Sequence, residues 1–356
     1  MKRKWLSLFL CLSIIMVMLA GCSSKQNSSN EGFDELETED IEATVAPTTT
    51  DTANASDASE KLITVGFAQI GAESDWRNAN TTSMKSTLTK ENGFNLIFKD
   101  AQQKQENQIQ AVKDFISQGV DIIVLAPITE TGWDDVLNEA KSAGIPVILV
   151  DRMVKVSDES LYSCWLGSNF EKEGVTAANW LTDYLKTQGK DKEKQNIVVL
   201  QGTIGSTAEV GRTKGFDDTI KKSSNLTILE EQTGEFTQAK GQEVMESYLK
   251  KYKDIDIVVS QNDNMSFGAI DALKAAGKKP GKDVIIVSFD AVKAAFLSMI
   301  DGDLNASVEC NPLHGPKVAE LIKKIKNGET VDKVQYIDES VYSTDNAEAE
   351  LPNRQY

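Results

Sequence analysis

From Leu62 onward, short apolar runs alternate with amphipathic segments of 12 to 18 residues, and this alternation limits the folds open to the chain. Strands buried on both faces read as continuous apolar runs, and helices between them build βαβ units with a parallel sheet. A first set of apolar runs covers residues 62–68, 96–98, 122–125, 147–150 and 161–166. A second set covers residues 197–200, 226–229, 255–259 and 284–287. The sequence therefore predicts an α/β protein with two parallel sheets, each of about five or six strands.

The first 22 residues carry the features of an export signal. A basic start at residues 2–4 precedes the apolar stretch Leu6–Leu19, whose 14 residues are fewer than the ~20 that a membrane-spanning helix needs. The stretch ends in the sequence Leu-Ala-Gly-Cys, which resembles the lipobox of bacterial lipoproteins. We predict that Cys22 becomes the lipid-carrying N-terminus; the alternative is an ordinary signal peptide with a chance cysteine.

Much of the negative charge lies ahead of the folded body. The 356 residues carry 38 Lys+Arg against 54 Asp+Glu, a formal net charge of −16. Residues 23–60 hold ten acidic residues and one lysine, so this segment alone contributes −9. Because it is rich in Ser, Thr and Asn and lacks apolar periodicity, it cannot bury enough surface to offset its ordering entropy. We predict a disordered acidic tether over residues 23–60, followed by about two domains.

Few residues of the folded body suit metal or redox chemistry. Cys164 and Cys310 are far apart in sequence, no CxxC motif is present, and His314 is the only histidine. We therefore expect no metal site and no cofactor. A disulfide between the two cysteines and two separate buried thiols both remain open at this stage.

Arginines mark one edge of the predicted sheets. In open parallel sheets, ligands bind beyond the carboxyl ends of the strands. Apart from Arg3 in the signal and Arg354 near the terminus, the arginines are Arg77, Arg152 and Arg212, and each lies in a predicted strand-end loop or just after one. A guanidinium stays ionised and presents five donors in a planar fork, which suits vicinal hydroxyls or a carboxylate.

Other strand-end residues fit the same chemistry. Trp76 and Phe236 are compatible with stacking on the C–H faces of a sugar, although either could be a core residue. Asp151, Asn262 and Asp290 would ordinarily be helix caps or turn residues, but they can also accept hydrogen bonds from hydroxyls. Together with the arginines, these residues form a candidate set for recognising a polyhydroxyl compound.

Several motifs between Leu62 and Ser343 make a family resemblance specific. They are Val65-Gly66-Phe67, Trp76-Arg77, the run Gln102 to Ile109, Gln118-Gly119-Val120-Asp121, Ala126-Pro127, Asp151-Arg152, Leu200-Gln201-Gly202-Thr203, Lys240-Gly241, Asn262-Asp263, Lys279-Pro280-Gly281-Lys282-Asp283 and Asn305-Ala306-Ser307-Val308-Glu309. The chain resembles the sugar-binding proteins of ABC importers. Within them it is most similar to the galactofuranose-binding branch, and more distantly to ribose-binding proteins.

This resemblance implies a type I periplasmic binding protein fold, with two doubly wound parallel-sheet lobes joined by a three-stranded hinge. The implied N-terminal lobe is 61–167 plus 311–338, and the C-terminal lobe is 168–310 plus 339–356. It also implies that the lobes close on a monosaccharide by hinge motion and that an ABC-transporter permease recognises the closed form. The implied ligand contacts are Ser74, Trp76, Arg77, Asp151, Arg152, Arg212, Phe236, Asn262 and Asp290, with Glu309 at a hinge.

One departure separates this chain from the ribose-binding pattern. That pattern has a second aromatic residue beside the first and a glutamine near the last hinge. Here Asp75 and Arg77 flank Trp76, and the hinge reads Glu309-Cys310-Asn311. The departure argues against ribose and favours a galactofuranose-like ligand.

Three other functional classes are alternatives for this sequence. A transcriptional regulator would need a basic helix-turn-helix ahead of the first strand, and the acidic balance argues against nucleic acid and against direct membrane contact beyond the lipid anchor. A glycan-active enzyme could use Asp151 and Asp290 as paired carboxylates, but no G-x-S-x-G motif or metal cluster supports catalysis. A ligand sensor for a chemoreceptor or two-component system would share the fold. We therefore expect a non-enzymatic, monomeric sugar-binding lipoprotein on the outer face of the cytoplasmic membrane, with a Gram-positive surface favoured.

Overall fold

The computed structural model describes residues 61–356, so the predicted signal peptide, Cys22 and the acidic tether lie outside the described residues. The chain begins with β1 (Ile63–Gln69), α1 (Asp75–Thr87), β2 (Phe94–Asp100), α2 (Gln105–Gln118), β3 (Ile122–Leu125), α3 (Asp134–Ser142), β4 (Val147–Val150) and β5 (Cys164–Gly167). It continues with α4 (Phe170–Thr187), β6 (Gln195–Gln201), α5 (Thr207–Ile220), β7 (Leu226–Thr233), α6 (Gln238–Lys251), β8 (Ile257–Ser260), α7 (Asp263–Ala275), β9 (Ile285–Asp290), α8 (Lys293–Ile300) and β10 (Ala306–Glu309). It ends with α9 (Gly315–Lys326), β11 (Val334–Tyr336), β12 (Val341–Ser343) and α10 (Ala347–Glu350).

The strands form two six-stranded sheets. The first has the order β11-β5-β4-β3-β1-β2 and the second the order β12-β10-β9-β8-β6-β7. All neighbouring strands pair in parallel except β12, which runs antiparallel to β10. The predicted fold class, an α/β protein with two doubly wound parallel-sheet lobes, is confirmed.

Both faces of each sheet are covered by helices, which explains the continuous apolar runs. In β3 the residues alternate between two cores: Ile122 and Val124 join the cluster under α1 and α9, whereas Ile123 and Leu125 join the cluster under α2 and α3. All four side chains are inaccessible to solvent. Burying a side chain of this size contributes roughly 1.5–3 kcal/mol, so both faces stabilise the strand.

Most differences from the predicted boundaries lie at turns. The amphipathic pattern predicts a first helix from near Trp76 to Glu91, but α1 ends at Thr87, and residues 90–92 form a separate 3₁₀ turn. Thr89 is extended, and Gly93 takes a left-handed φ of 91°, which brings the chain directly into β2. The apolar pattern marked the buried stretches but not these backbone conformations.

The chain crosses between the two sheets three times. The first crossover follows β5, the second follows β10, and the third joins β11 to β12. The crossovers leave each sheet from its edge strand or from the strand next to it, and the two lobes form one compact unit. Among residues 61–356, the helices are all too short or too polar to cross a membrane.

Candidate functional site

A narrow cavity lies between the lobes at the carboxyl ends of the strands. Both lobes line it, with Glu73, Trp76, Arg77, Asp151 and Arg152 on one side and Phe170, Ala208, Arg212, Phe236, Asp290 and Cys310 on the other. Its free volume is about 20 Å³, enough for a water molecule but far below the roughly 300 Å³ of a small-molecule pocket. A larger ligand therefore requires these side chains or the lobes to move apart.

Arg77 is the centre of the network on the N-terminal lobe. Ser74 caps α1 by accepting a hydrogen bond from the Arg77 backbone N–H at 3.1 Å, which fixes the first helical turn. The guanidinium then donates to Glu73 Oε1 at 2.9 Å and to Asp151 Oδ2 at 2.7 Å. Its Nη1 is buried and has no hydrogen-bond partner among the described residues. This nitrogen is a donor available for a ligand.

Arg152 also lies in the cavity but is weakly paired. Its Nη1 donates to the Ile128 carbonyl at 2.8 Å, its Nε is 3.8 Å from Asp151 Oδ2, and its guanidinium lies 5.2 Å from the Phe236 ring centroid. Burial, together with the neighbouring Arg77, lowers the pKa of Arg152 to about 10. The surroundings of Arg152 therefore disfavour its charged form, and a ligand oxygen beside the guanidinium would stabilise that form.

Arg212 is the corresponding residue of the C-terminal lobe. Its guanidinium donates to Glu173 Oε2 at 2.7 Å and to the Gln261 carbonyl at 2.5 Å, and lies 3.4 Å from Asp290 Oδ1. Close packing of α4 on α5 holds it there: a Cβ on Gly215 would lie 2.0 Å from the Glu171 carbonyl oxygen. Only glycine permits this approach, which brings Glu173 within reach of Arg212.

Two aromatic rings face the cavity from opposite lobes. Trp76 is 4% exposed and donates its indole N–H to the Cys310 carbonyl at 2.6 Å. Phe236 has a left-handed φ of 62°, and the side-chain amide of Asn262 donates to its carbonyl at 2.9 Å. A non-glycine residue in this conformation is uncommon and persists only where its surroundings hold it. The protein therefore fixes Phe236 in its position beside the cavity.

The charges of the site are nearly balanced. Three guanidiniums face four carboxylates, those of Glu73, Asp151, Glu173 and Asp290. Burial opposes ionisation of Asp151, but Arg77 and Arg152 hold its pKa below the usual value. Burial raises the pKa of Asp290 well above its usual value, so this carboxyl favours its protonated form. Such a mixture of donors and acceptors matches neutral hydroxyl groups better than a ligand carboxylate.

The structure brings seven of the ten candidate ligand residues to the cavity: Trp76, Arg77, Asp151, Arg152, Arg212, Phe236 and Asp290. The other three do not line it. Ser74 and Asn262 are the N-caps of α1 and α7, where they position Arg77 and Phe236. Glu309 forms an ion pair with Arg354 at 2.8 Å and accepts a hydrogen bond from the Tyr356 hydroxyl at 2.9 Å. Its carboxylate therefore anchors the C-terminal tail.

Four lining residues were not among the sequence candidates: Glu73, Phe170, Ala208 and Cys310. The sequence does contain a signal for one of them: Glu73 precedes Arg77 by four residues, and oppositely charged residues at this spacing meet at the start of a helix. No pattern marked Phe170, Ala208 or Cys310, which reach the cavity through the packing of the lobes. Cys164 and Cys310 are both free, buried thiols, so the open question about a disulfide is answered by two separate cysteines.

Direct hydrogen bonds join the two lobes across the cleft. The Asp75 backbone N–H donates to Asn264 Oδ1 at 3.0 Å, and the Met153 N–H donates to Thr207 Oγ1 at 3.1 Å. A third bond, of 3.0 Å, runs from the Glu130 N–H to the Gly205 carbonyl. These contacts and the small cavity describe a closed arrangement of the lobes.

The burial of His314, at the start of α9, leads us to expect that the stability of the fold decreases at acid pH. It is fully buried edge-on to Trp76, with ring centroids 5.8 Å apart, and burial lowers its pKa to about 4. Its unfolded pKa is near 6.5, so the stability from neutral His314 is complete above that pH and is lost as the pH falls toward 4. We expect His314→Phe to lose about 3 kcal/mol less stability than the parent chain between pH 7.5 and 4. Urea unfolding at both pH values measures this, and equal losses in the two proteins would contradict it.

The chain is similar to several known proteins. A family profile described as periplasmic binding protein domain matches residues 65–330. The chain is 44% identical over 296 residues to the galactofuranose-binding protein YtfQ of Escherichia coli K12, covering 82% of this chain and 91% of the relative. A Mycobacterium smegmatis protein in complex with β-D-fucofuranose matches with a TM-score of 0.80 at 46% identity, over 83% of this chain and 95% of the other. The arabinose-transporter binding protein of Shewanella sp. ANA-3, bound to L-arabinofuranose, matches with a TM-score of 0.77 at 46% identity, over 82% and 95%.

Proposed function

Because this chain belongs to the family of periplasmic binding protein domains, we propose that it captures a monosaccharide in the furanose form between its lobes and delivers it to an ABC importer. Its homologues are sugar-binding proteins of ABC importers and include galactofuranose, fucofuranose and arabinofuranose binders. Galactofuranose or a close analogue is the ligand that we favour.

One observation carries this proposal most directly. Arg77, Arg152 and Arg212 converge on one cavity from both lobes, and buried carboxylates balance their charge. A sugar ring between them would find donors and acceptors in several directions, whereas an anionic ligand would add a charge to a site that already has enough carboxylates. The flanking rings of Trp76 and Phe236 offer apolar faces for the C–H groups of the ring.

The proposal is for binding without turnover. Glycosidases use two carboxylates, one as an acid and one as a base or nucleophile, with free access to the glycosidic oxygen and to water. Asp151 lies 2.7 Å from Arg77, and Asp290 lies 3.4 Å from Arg212, so each carboxylate is engaged by a guanidinium. We infer that these pairs hold hydroxyls and that the sugar leaves the site unchanged.

The cellular setting rests on the sequence. We infer an exported monomer that a lipid on Cys22 holds on the outer face of the cytoplasmic membrane, with residues 23–60 giving the domain reach toward the permease. A long tether favours a Gram-positive surface. A role as the ligand sensor of a chemoreceptor or two-component system would use the same site, and capture of the permease subunits separates the two roles.

Calorimetric titration of residues 23–356 with galactofuranose, arabinose, ribose, galactose and glucose tests the proposed ligand class. We expect micromolar or tighter binding of galactofuranose and at least about tenfold weaker binding of ribose, a difference of about 1.4 kcal/mol. Unchanged sugar recovered after prolonged incubation would support binding without turnover. Silence across the panel in a folded protein would contradict the proposal.

A further inference from the structure

Four polar side chains, three of them buried and one partly buried, meet in a cluster at the hinge, next to the sugar cavity. Each crossover between the lobes supplies one of them: Ser168 from the first, Cys310 from the second and Glu339 from the third. The fourth is Glu173, from the first turn of α4. We call these four residues the hinge cluster.

The cluster ties the three crossovers together. Ser168 Oγ lies 3.3 Å from Cys310 Sγ and donates to Glu339 Oε1. The Asn311 backbone N–H donates to the same Glu339 oxygen at 3.0 Å. One carboxylate oxygen of Glu173, one of Glu339 and the Sγ of Cys310 all lie within 4.8 Å of one another. Because hinge motion changes the backbone torsions of crossovers, this arrangement depends on the angle between the lobes.

Glu173 connects the cluster to the sugar cavity. Its Oε2 accepts the 2.7 Å hydrogen bond from Arg212 Nε, and both side chains are 3% exposed. Its Oε1 is also buried and, in the part of the chain that the structure describes, has no hydrogen-bond partner. Arg212 lines the cavity, so Glu173 stands between the hinge and a residue that faces the ligand.

We propose that Glu173 is a positioning residue for Arg212, and that a proton shared with Glu339 holds Glu173 in place when the lobes are closed. The proposal deepens the proposed function, because its effect on affinity rests on sugar binding at the same site. It requires no new ligand, only a proton between two neighbouring carboxyls.

The charges around the pair explain why a proton is held there. Two carboxylates this close, one buried and the other partly buried, cannot both ionise without strong repulsion, and one of them therefore keeps its proton. Burial, then the nearby Glu173, raises the pKa of Glu339 to about 9, and burial also raises the pKa of Glu173. The other titratable groups around the pair are Arg212, Cys310, Asp151 and Asp290 on the inner side, and the exposed Lys172, Tyr336 and Asp338 at the groove that Glu173 and Glu339 also line. Burial keeps Cys310 as a neutral thiol, so Arg212 is the one cation on the inner side.

The direction of the pH effect follows from linkage. The closed arrangement brings the carboxyls together and therefore binds the proton more tightly than an arrangement in which the crossovers have moved. When the pH rises through about 9, the pair loses its proton and the two negative charges repel. Closure then costs more, and sugar affinity falls.

The first test compares the parent chain with Glu339→Gln, whose amide donates to Glu173 as the protonated acid does but cannot lose that proton. We expect the affinity of the parent chain for galactofuranose to fall about tenfold between pH 7 and pH 10, and that of Glu339→Gln to change by less than about threefold. Glu171→Gln, an exposed substitution on the same helix, should behave like the parent chain. Equal pH profiles for parent and Glu339→Gln would overturn the shared proton.

The second test addresses the positioning of Arg212. Glu173→Ala removes the carboxylate nearest to Arg212, and we expect the affinity of this variant to fall at least about thirtyfold at pH 7. Glu173→Gln keeps an oxygen for Arg212 Nε and an amide for Glu339, so its affinity should stay within about fivefold of the parent and be insensitive to pH. Circular dichroism identifies any variant that fails to fold. Full affinity in a folded Glu173→Ala would overturn the positioning role.

Unfolding without sugar separates this proposal from the proposed function. Because unfolded glutamate titrates near pH 4.3, the stability that the protonated Glu339 provides declines as the pH rises toward 9. The parent chain should therefore lose more stability than Glu339→Gln between pH 6 and pH 9, whether or not any sugar binds. Parallel unfolding profiles would contradict the shared proton.

Discussion

Arg152→Ala is expected to weaken galactofuranose binding at least about a hundredfold, or roughly 2.7 kcal/mol, while leaving the free energy of unfolding unchanged or higher. The loss follows from the position of the guanidinium, which lines the cavity and uses only part of its five donors on the protein. The stability result follows from the surroundings of Arg152: it is buried beside Arg77 and is only 3.8 Å from Asp151, so burial and the neighbouring charge lower its pKa and oppose its charged form.

Arg77→Ala is the informative comparison for that prediction. Arg77 holds Glu73 and Asp151 at 2.9 and 2.7 Å, so its removal leaves buried carboxylates without their main partner. We expect it to lower the free energy of unfolding by about 3 kcal/mol as well as to abolish binding. Lys141→Ala, which breaks a surface ion pair on α3, should change neither property. Calorimetry and urea unfolding of the three variants measure the contrast, and a destabilised Arg152→Ala would contradict it.

Trp76→Ala is expected to lower the free energy of unfolding by about 3–5 kcal/mol and to remove sugar binding. The indole belongs to α1 of the N-terminal lobe but packs in a cluster with Phe170 and Phe236 of the other lobe. It also donates to the Cys310 carbonyl at the second crossover. Removing the ring therefore leaves a cavity at the contact between the lobes and takes away an apolar face from the sugar.

Trp76→Phe separates the ring from its hydrogen bond. Phenylalanine keeps an aromatic face but cannot donate to Cys310, so we expect it to recover at least half of the lost stability and measurable binding. Trp180→Phe, which alters a partly buried aromatic pair on α4 far from the cleft, is the matched control and should bind like the parent chain. Thermal unfolding with calorimetry tests both variants. A Trp76→Ala protein with parental affinity would show that the ring does not contact the ligand.

Local physical rules explain what could be predicted from the sequence. The limits of β3 and β4 were predicted correctly, because a continuous apolar run maps directly onto a buried strand. The strand-end rule placed Arg77, Arg152 and Arg212 together, since the carboxyl ends of parallel strands share one edge of each sheet. These inferences needed only spacing and residue type.

Contacts between segments that are far apart in the sequence could not be predicted from spacing and residue type. Arg354 was counted with the terminus, yet its side chain is 7% exposed and pairs with Glu309. That pair withdraws Glu309 from the cavity, and no local pattern links two residues 45 positions apart. Glu339 likewise comes from a short third crossover with no helical or strand signal, so its meeting with Glu173 emerges only when the lobes are assembled.

The cleft combines buried, balanced charges with strained backbone conformations. Both features lower the stability of the fold, and we attribute them to ligand binding. Asp151 has a φ of 61° and Asp290 a φ of 104°, conformations that non-glycine residues rarely adopt. Both residues point carboxyls at arginines that line the cavity. Such strain persists only where the surrounding structure enforces it, and it concentrates at functional sites.

A crystal structure of the chain grown with galactofuranose tests the central claim most directly. The account predicts one furanose ring between Trp76 and Phe236, with hydroxyls at about 2.7–3.2 Å from at least two of the guanidiniums of Arg77, Arg152 and Arg212. Contacts from both lobes to the same ring would establish that the cleft is the sugar site. A sugar bound outside the cleft, or held by one lobe alone, would contradict the account.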